Sequence, residues 1–130
     1  MKIPDFFKDS FNPTAEELKK WAYGSYYSPN QDFQLFVMND PYLILGFITD
    51  LNCSLYTRNF FIDSIYTWIG DTVRGSYEYV SKDYMHSFLE YASSLSDTDI
   101  LKLVSDANYL ISNPSTYTYE KWGIGANSKR

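Results

Sequence analysis

Two residue types on which most catalytic and metal sites draw are nearly missing from this chain. In 130 residues it has one cysteine, Cys53, and one histidine, His86. One Cys excludes an intramolecular disulfide and a Cys-based zinc cluster. One His excludes a multi-His metal site. Positive charge is scarce too: eleven Lys and Arg face sixteen Asp and Glu, a formal net charge of -5. Phosphate binding asks for a basic face, so nucleic acid is not the expected ligand. Long apolar runs are also lacking. The most apolar stretch, 42–51, is broken by Gly46, Thr49 and Asp50, far short of the ~20 residues that span a bilayer. Asp5 enters too early for an apolar signal core to follow Lys2. The expectation is a soluble protein without membrane contact, and Cys53 fits a reducing cytoplasm.

What the chain does hold is apolar and aromatic. It is 45% hydrophobic, with 13 Tyr, 9 Phe and 3 Trp, enough for a core and too much for wholesale disorder. Its length predicts one domain over 1–130, with a polar, frayed tail at 126–130. Apolar spacings of three and four dominate over alternation, which predicts helices. Thr14 with Glu17 has capping-box spacing ahead of a helix over 15–23, and Gly24 is a natural stop. Residues 25–30 read as a loop. Asp32 is placed to cap a short helix through Met38, and Asp40-Pro41 reads as N-cap and N1 of a helix over 42–51.

The strongest pattern runs over 57–74. There Phe61, Ile65, Trp68 and Ile69 form a stripe, flanked by Ile62, Tyr66 and Val73, so this helix is expected at the centre. Gly75 suits a left-handed stop. A helix from Ser81 to Leu95 has Tyr84, Phe88, Tyr91, Ala92 and Leu95 as its expected inner face. Another starts at 96–99, buries Ile100, Leu103, Val104, Ala107, Leu110 and Ile111, and ends at Asn113-Pro114. A short turn at 119–122 is expected to pack back. The fold class is all-α: about six helices in stacked antiparallel hairpins or an irregular bundle. Strands at 33–38 or 77–80 are the alternative.

Catalytic patterns do not assemble. No Gly-x-Ser-x-Gly elbow exists, and Cys53 reads as a partly buried core residue. His86 and Glu90 lie four apart, but no second such pair faces them. Gly123-Ile124-Gly125 lacks the rest of a dinucleotide loop. Asp63, Asp71 and Arg74 fall on related faces of the central helix and read as structural polar groups; in an enzyme they would be the catalytic set. No cofactor, metal or catalytic residue is expected, and the chain reads as a non-enzyme.

Surface character carries the functional reading. Between Trp21 and Tyr56 there are three acids and no Lys or Arg, and between Asp83 and Ile100 four acids and again no Lys or Arg. An acidic face with interleaved tyrosines suits a basic protein partner. The predicted partner-binding residues are Asp83, Glu90, Tyr91, Asp97 and Asp99, although Asp97 and Asp99 also suit helix capping. The second choice is Tyr26, Tyr27 and Asp32.

Two segments carry a resemblance. Trp21-Ala22-Tyr23 with Gln31-Asp32-Phe33, and 60–74 ending Gly70-Asp71-Thr72-Val73-Arg74, are similar to a family of small acidic bacterial proteins with "WAY", "QDW" and "GDxVR" segments. Phe33 here replaces the Trp of that pattern. In size, acidity and lack of a catalytic set the chain also resembles, by type, immunity proteins of contact-dependent toxin systems. That likeness implies a cytoplasmic inhibitor that covers the basic cleft of a toxin nuclease, and it carries no site residues across. The alternative is a helical adaptor or homo-oligomeric structural protein.

Overall fold

The computed structural model describes residues 1–75, 81–118 and 122. Local chemistry sets most helix ends. α1 (Ala15–Tyr23) begins in a full capping box: Thr14 Oγ1 accepts the Glu17 N–H at 3.1 Å, and Glu17 Oε1 accepts the Thr14 N–H at 2.9 Å. Gly24 ends it in extended backbone rather than a left-handed turn. The Tyr26 ring lies against Gly24, and a Cβ there would stand 2.3 Å from Cε2 of that ring.

α2 (Phe33–Val37) is helical where a strand was the alternative. Asp32 precedes it without making the expected side-chain cap. At φ -103° and ψ 19° its backbone lacks the extended conformation that swings an N-cap side chain onto the first-turn amides. α3 (Pro41–Ile48) does start as predicted, with Asp40 Oδ1 accepting the Leu43 N–H at 3.2 Å. It ends short of Leu51. Asp50 Oδ1 takes the Asn52 N–H at 2.9 Å, and this local turn competes with another turn of helix.

α4 (Leu55–Arg74) begins earlier than the apolar stripe suggested. Ser54 Oγ accepts the Thr57 N–H at 3.2 Å. Phe61, Ile62, Ile65, Tyr66 and Ile69 are fully buried, while Trp68 and Val73 are half-buried. Buried Ser64 and Thr72 donate to carbonyls four residues back at 2.7 Å, so neither hydroxyl is orphaned. Gly75 closes the helix at φ +73°, a left-handed conformation that glycine adopts without steric cost. The possible strand at 77–80 lies outside the described residues.

α5 (Lys82–Ser93) is capped by Ser81, and α6 (Thr98–Ser112) by Asp97. α6 buries Ile100, Leu103, Val104, Ala107 and Leu110 as expected; Ile111 is only half-buried. α5 corrects its expected inner face. It buries Met85, Phe88, Leu89 and Ala92, whereas Tyr84 and Tyr91 are exposed and Leu95 is half-buried. Met85 and Leu89 are wholly apolar, so they take the core stripe from side chains whose hydroxyls favour water. A 3-10 turn, Pro114–Thr116, follows α6. The chain is all-α, with no strand among the described residues.

Two compact units divide the chain, Met1–Ser64 and Ile65–Arg130, and α4 gives its first half to one and its second half to the other. The first unit has an aromatic core. Trp21 meets Phe33, Phe60 and Phe61 edge-on at 5.0, 5.2 and 5.6 Å. Phe7 extends the cluster onto Phe33 at 5.6 Å. The "WAY" and "QDF" segments therefore meet through their large rings. In the second unit, Phe88 meets Trp68 at 5.2 Å, and Tyr66 donates its hydroxyl to Asp106 at 2.5 Å. Lys102 neutralises the same carboxylate at 2.7 Å.

Candidate functional site

α5 turns a polar stripe outward because its apolar residues recur on one side. Opposite Met85, Phe88, Leu89 and Ala92 stand Asp83, Ser87 and Glu90, all exposed. Asp83 and Glu90 are seven residues apart, about two turns, so their carboxylates share a face. Tyr84 and Tyr91, also seven apart, line one shoulder of that face with nearly half of each residue exposed, 44% and 49%. Tyr84 leans edge-on to Trp68 at 6.2 Å. Lys82 and His86 fall on the other shoulder, and His86, three residues from Asp83 and four from Glu90, is the nearer neighbour of the acids on the helix surface. Asp83 also sits in the first turn, where the helix dipole favours negative charge.

The remaining predicted acids are placed differently. Asp97 is half-buried, and its Oδ1 accepts the N–H groups of Asp99 and Ile100 at 2.9 and 3.0 Å. That carboxylate is engaged in starting α6. Asp99 is half-buried and shares a shoulder of α6 with Asp106, away from the most outward residues of that helix. The capping alternative describes Asp97, and the outward acidic pair is Asp83 with Glu90. Sequence reading missed two exposed α6 side chains, Leu101 and Tyr109, the latter 61% exposed. The signal was available: both lie opposite the stripe that buries Leu103, Val104 and Ala107.

In the first unit, Tyr26 is half-buried beneath the N-terminal segment, edge-on to Phe6 at 5.1 Å with Lys2 Nζ 5.8 Å from its ring. Tyr27 and Asp32 are exposed, so this second-choice group is split. Tyr27 is tied through its backbone: its N–H donates to Lys2 O and its carbonyl accepts the Trp21 indole N–H, both at 2.9 Å. Tyr23 donates its hydroxyl to Asp50. That bond and the Asn52 amide hold the Asp50 carboxyl below its ordinary range, while the tyrosine is raised. Cys53, half-buried next to them, has its thiol pushed up to about 11, first by burial and then by the Asp50 charge. It is a protonated thiol at neutral pH and a poor nucleophile.

Asp63 is half-buried in the first unit's part of α4, and Asp71 and Arg74 lie in the second unit's part. Burial raises the Asp71 carboxyl, and Arg74 pulls it back. Arg74 is exposed with its guanidinium 5.1 Å from the Tyr117 ring. Among the described residues no group of three or more His, Cys, Asp or Glu stands close enough to hold a metal ion. No helix among them is long and apolar enough to cross a membrane. Comparison with known proteins finds no matching family model, no matching curated protein and no matching solved structure.

Proposed function

We propose that this chain is a protein-binding inhibitor of the immunity type, acting in the cytoplasm on a basic toxin nuclease. One observation carries the reading: Asp83 and Glu90 share the outward face of α5, with exposed Tyr84 and Tyr91 along one shoulder. Tyrosine supplies a large, stiff contact area with a polar tip, the chemistry of binding anchors. The acids steer a cationic partner and set its orientation. Inhibition is steric and electrostatic: the face occupies the cleft that otherwise holds phosphates. It asks for no cofactor and no chemistry from the inhibitor.

The test uses the full chain as bait in its native host, alongside a variant carrying Asp83→Lys and Glu90→Lys. The reading expects a basic protein held by the parent, lost by the variant and released in about 1 M salt, where charges more than ~3 Å apart are screened. Once purified, that protein should cleave RNA or DNA and stop when the parent chain is added in equimolar amount. An acidic partner, or a nuclease unaffected by the chain, overturns the reading. Exposed Leu101 and Tyr109 on α6 favour a second reading, a homo-oligomeric adaptor. That reading expects a dimer in sedimentation that Tyr109→Asp dissociates.

A further inference from the structure

In the first unit, the turn between α3 and α4 carries its leucines outward. Leu51 is 100% exposed and Leu55 71% exposed, and Tyr56 follows at 45%. Tyr23 of α1, 40% exposed, reaches the same turn through its hydroxyl bond to Asp50. Single exposed leucines are ordinary, but large apolar side chains gathered at one turn mark a contact face. The turn is also held firmly. Asp50 Oδ1 accepts the Asn52 N–H at 2.9 Å, and the Asp50 carbonyl accepts the Cys53 N–H at 3.1 Å. The Ala22 carbonyl accepts the Ser54 N–H at 3.4 Å, which ties the turn to α1. Arg58 Nε donates to the Ile48 carbonyl at 3.2 Å, which joins α4 to α3. Leucines placed in advance lose less freedom on binding.

Charge decides what fits this face. Lys19 Nζ lies 5.6 Å from the centre of the Tyr23 ring, and Asp50 accepts the hydroxyl of the same tyrosine. One cation and one anion thus flank a single ring. A strongly basic partner gains little here, because Lys19 opposes it and the Asp50 carboxylate already holds Tyr23 and the Asn52 amide. A second copy of the chain brings the matching pair: across a two-fold axis each Lys19 faces an Asp50, and like meets like at the leucines. We propose that the Leu51–Leu55 face joins two copies of this chain, with the leucines packed across a two-fold axis and Lys19 of each copy opposite Asp50 of the other. Such a dimer depends neither on α5 nor on a toxin partner.

The test is sedimentation equilibrium of the full chain from micromolar to near-millimolar concentration, with circular dichroism as the check on folding. The parent should pass from monomer to dimer. Leu51→Ser, at a fully exposed position, should keep the fold and raise the dimer dissociation constant about tenfold or more, because each copy loses a leucine from the contact. Tyr109→Asp on α6 should leave that constant unchanged. Lys19→Glu and Asp50→Lys should each dissociate the dimer by setting like charges opposite one another, and mixing the two variant chains should restore it, since opposite charges then meet across the axis. Asp50 also holds the turn, so if Asp50→Lys fails to fold, alkylation of Cys53 by excess iodoacetamide decides in its place. Alkylation should slow as the parent is concentrated and should show no such dependence in Leu51→Ser. The proposal is overturned by a parent that stays monomeric at near-millimolar concentration, by a dimer that Leu51→Ser leaves intact, by a dimer that Tyr109→Asp dissociates, or by folded charge variants that fail to associate when mixed. Alkylation independent of parent concentration overturns it as well.

Discussion

Trp21 and Trp68 look alike in sequence, each followed by an apolar residue inside a helical pattern, but their surroundings differ. Trp21 has no exposed surface and three phenylalanine rings around it, whereas Trp68 is half-buried. Truncating a buried Trp costs about 3–5 kcal/mol through lost transfer energy and the cavity left behind. Trp21→Ala should fall in that range in urea melts, and Trp68→Ala at about half of it or less; equal losses would place both in one kind of environment. Asp71 supplies a second contrast. Its folded carboxyl is raised, chiefly by burial, so the native state holds the proton more tightly than the unfolded chain. Stability from this group is present at low pH and falls as pH rises from the ordinary aspartate range through the raised value. Asp71→Asn should therefore match the parent below that window and gain on it above. Melts at pH 3 and pH 7 check this, and a difference independent of pH would remove Asp71 as its source.

At the scale of elements, several helix ends were legible where a short side chain meets its own backbone, but the Ser54 and Asp50 contacts that start α4 and end α3 were missed, and Asp32 makes no cap. Thr14 with Glu17, Asp40-Pro41, Ser81 and Asn113-Pro114 mark boundaries because the hydrogen bonds involved span only a few residues. The rotation of α5 was less legible. Tyr84, Phe88 and Tyr91 make a plausible stripe, and so do Met85, Phe88, Leu89 and Ala92, about a quarter of a turn away. Periodicity cannot choose between neighbouring stripes when tyrosines stand on one of them; burial chooses the second. The Trp122 bond to Tyr66 joins residues 56 apart, and no local pattern announces it. The turn expected to pack back at 119–122 was the trace it left: Trp122 does lie on α4, while 119–121 are outside the described residues. The α1 cap yields a prediction with the sign opposite to Asp71. Backbone hydrogen bonds from Thr14 and Lys8 hold the Glu17 carboxyl below its ordinary range. Its contribution is present above the ordinary glutamate range and is lost as pH falls through the lowered value. Thr14→Ala should cost about 1 kcal/mol near neutrality, and less once Glu17 is protonated. The same loss at pH 2 and pH 7 would separate the cap from the carboxylate.

For the molecule as a whole, net charge and anchor residues act on different parts of a binding reaction. A chain of formal charge -5 attracts a cationic partner from a distance, before any side chain is desolvated. Asp83 and Glu90 stand exposed on α5, where solvent screens them, so in a complex they contribute chiefly to encounter. Tyr91, on one shoulder of that face, offers ring area that gains energy only after water leaves, so it contributes to residence. Stopped-flow kinetics with the purified partner should separate the two. Association by the parent should slow steeply between 0.1 and 1 M salt, as the Debye length shrinks from about 10 to about 3 Å. Asp83→Lys with Glu90→Lys should lower the association rate by roughly tenfold or more at low salt and flatten its salt dependence, with a smaller change in dissociation. Tyr91→Ala should leave association nearly unchanged and speed dissociation by roughly 30-fold if it is an anchor worth about 2 kcal/mol. A charge-reversed variant with parental association, or a Tyr91→Ala variant with parental dissociation, would take the corresponding residues out of the binding face. The exposed pair Tyr27 and Asp32 of the first unit would then be the next face to vary, because it too lies in a stretch without Lys or Arg.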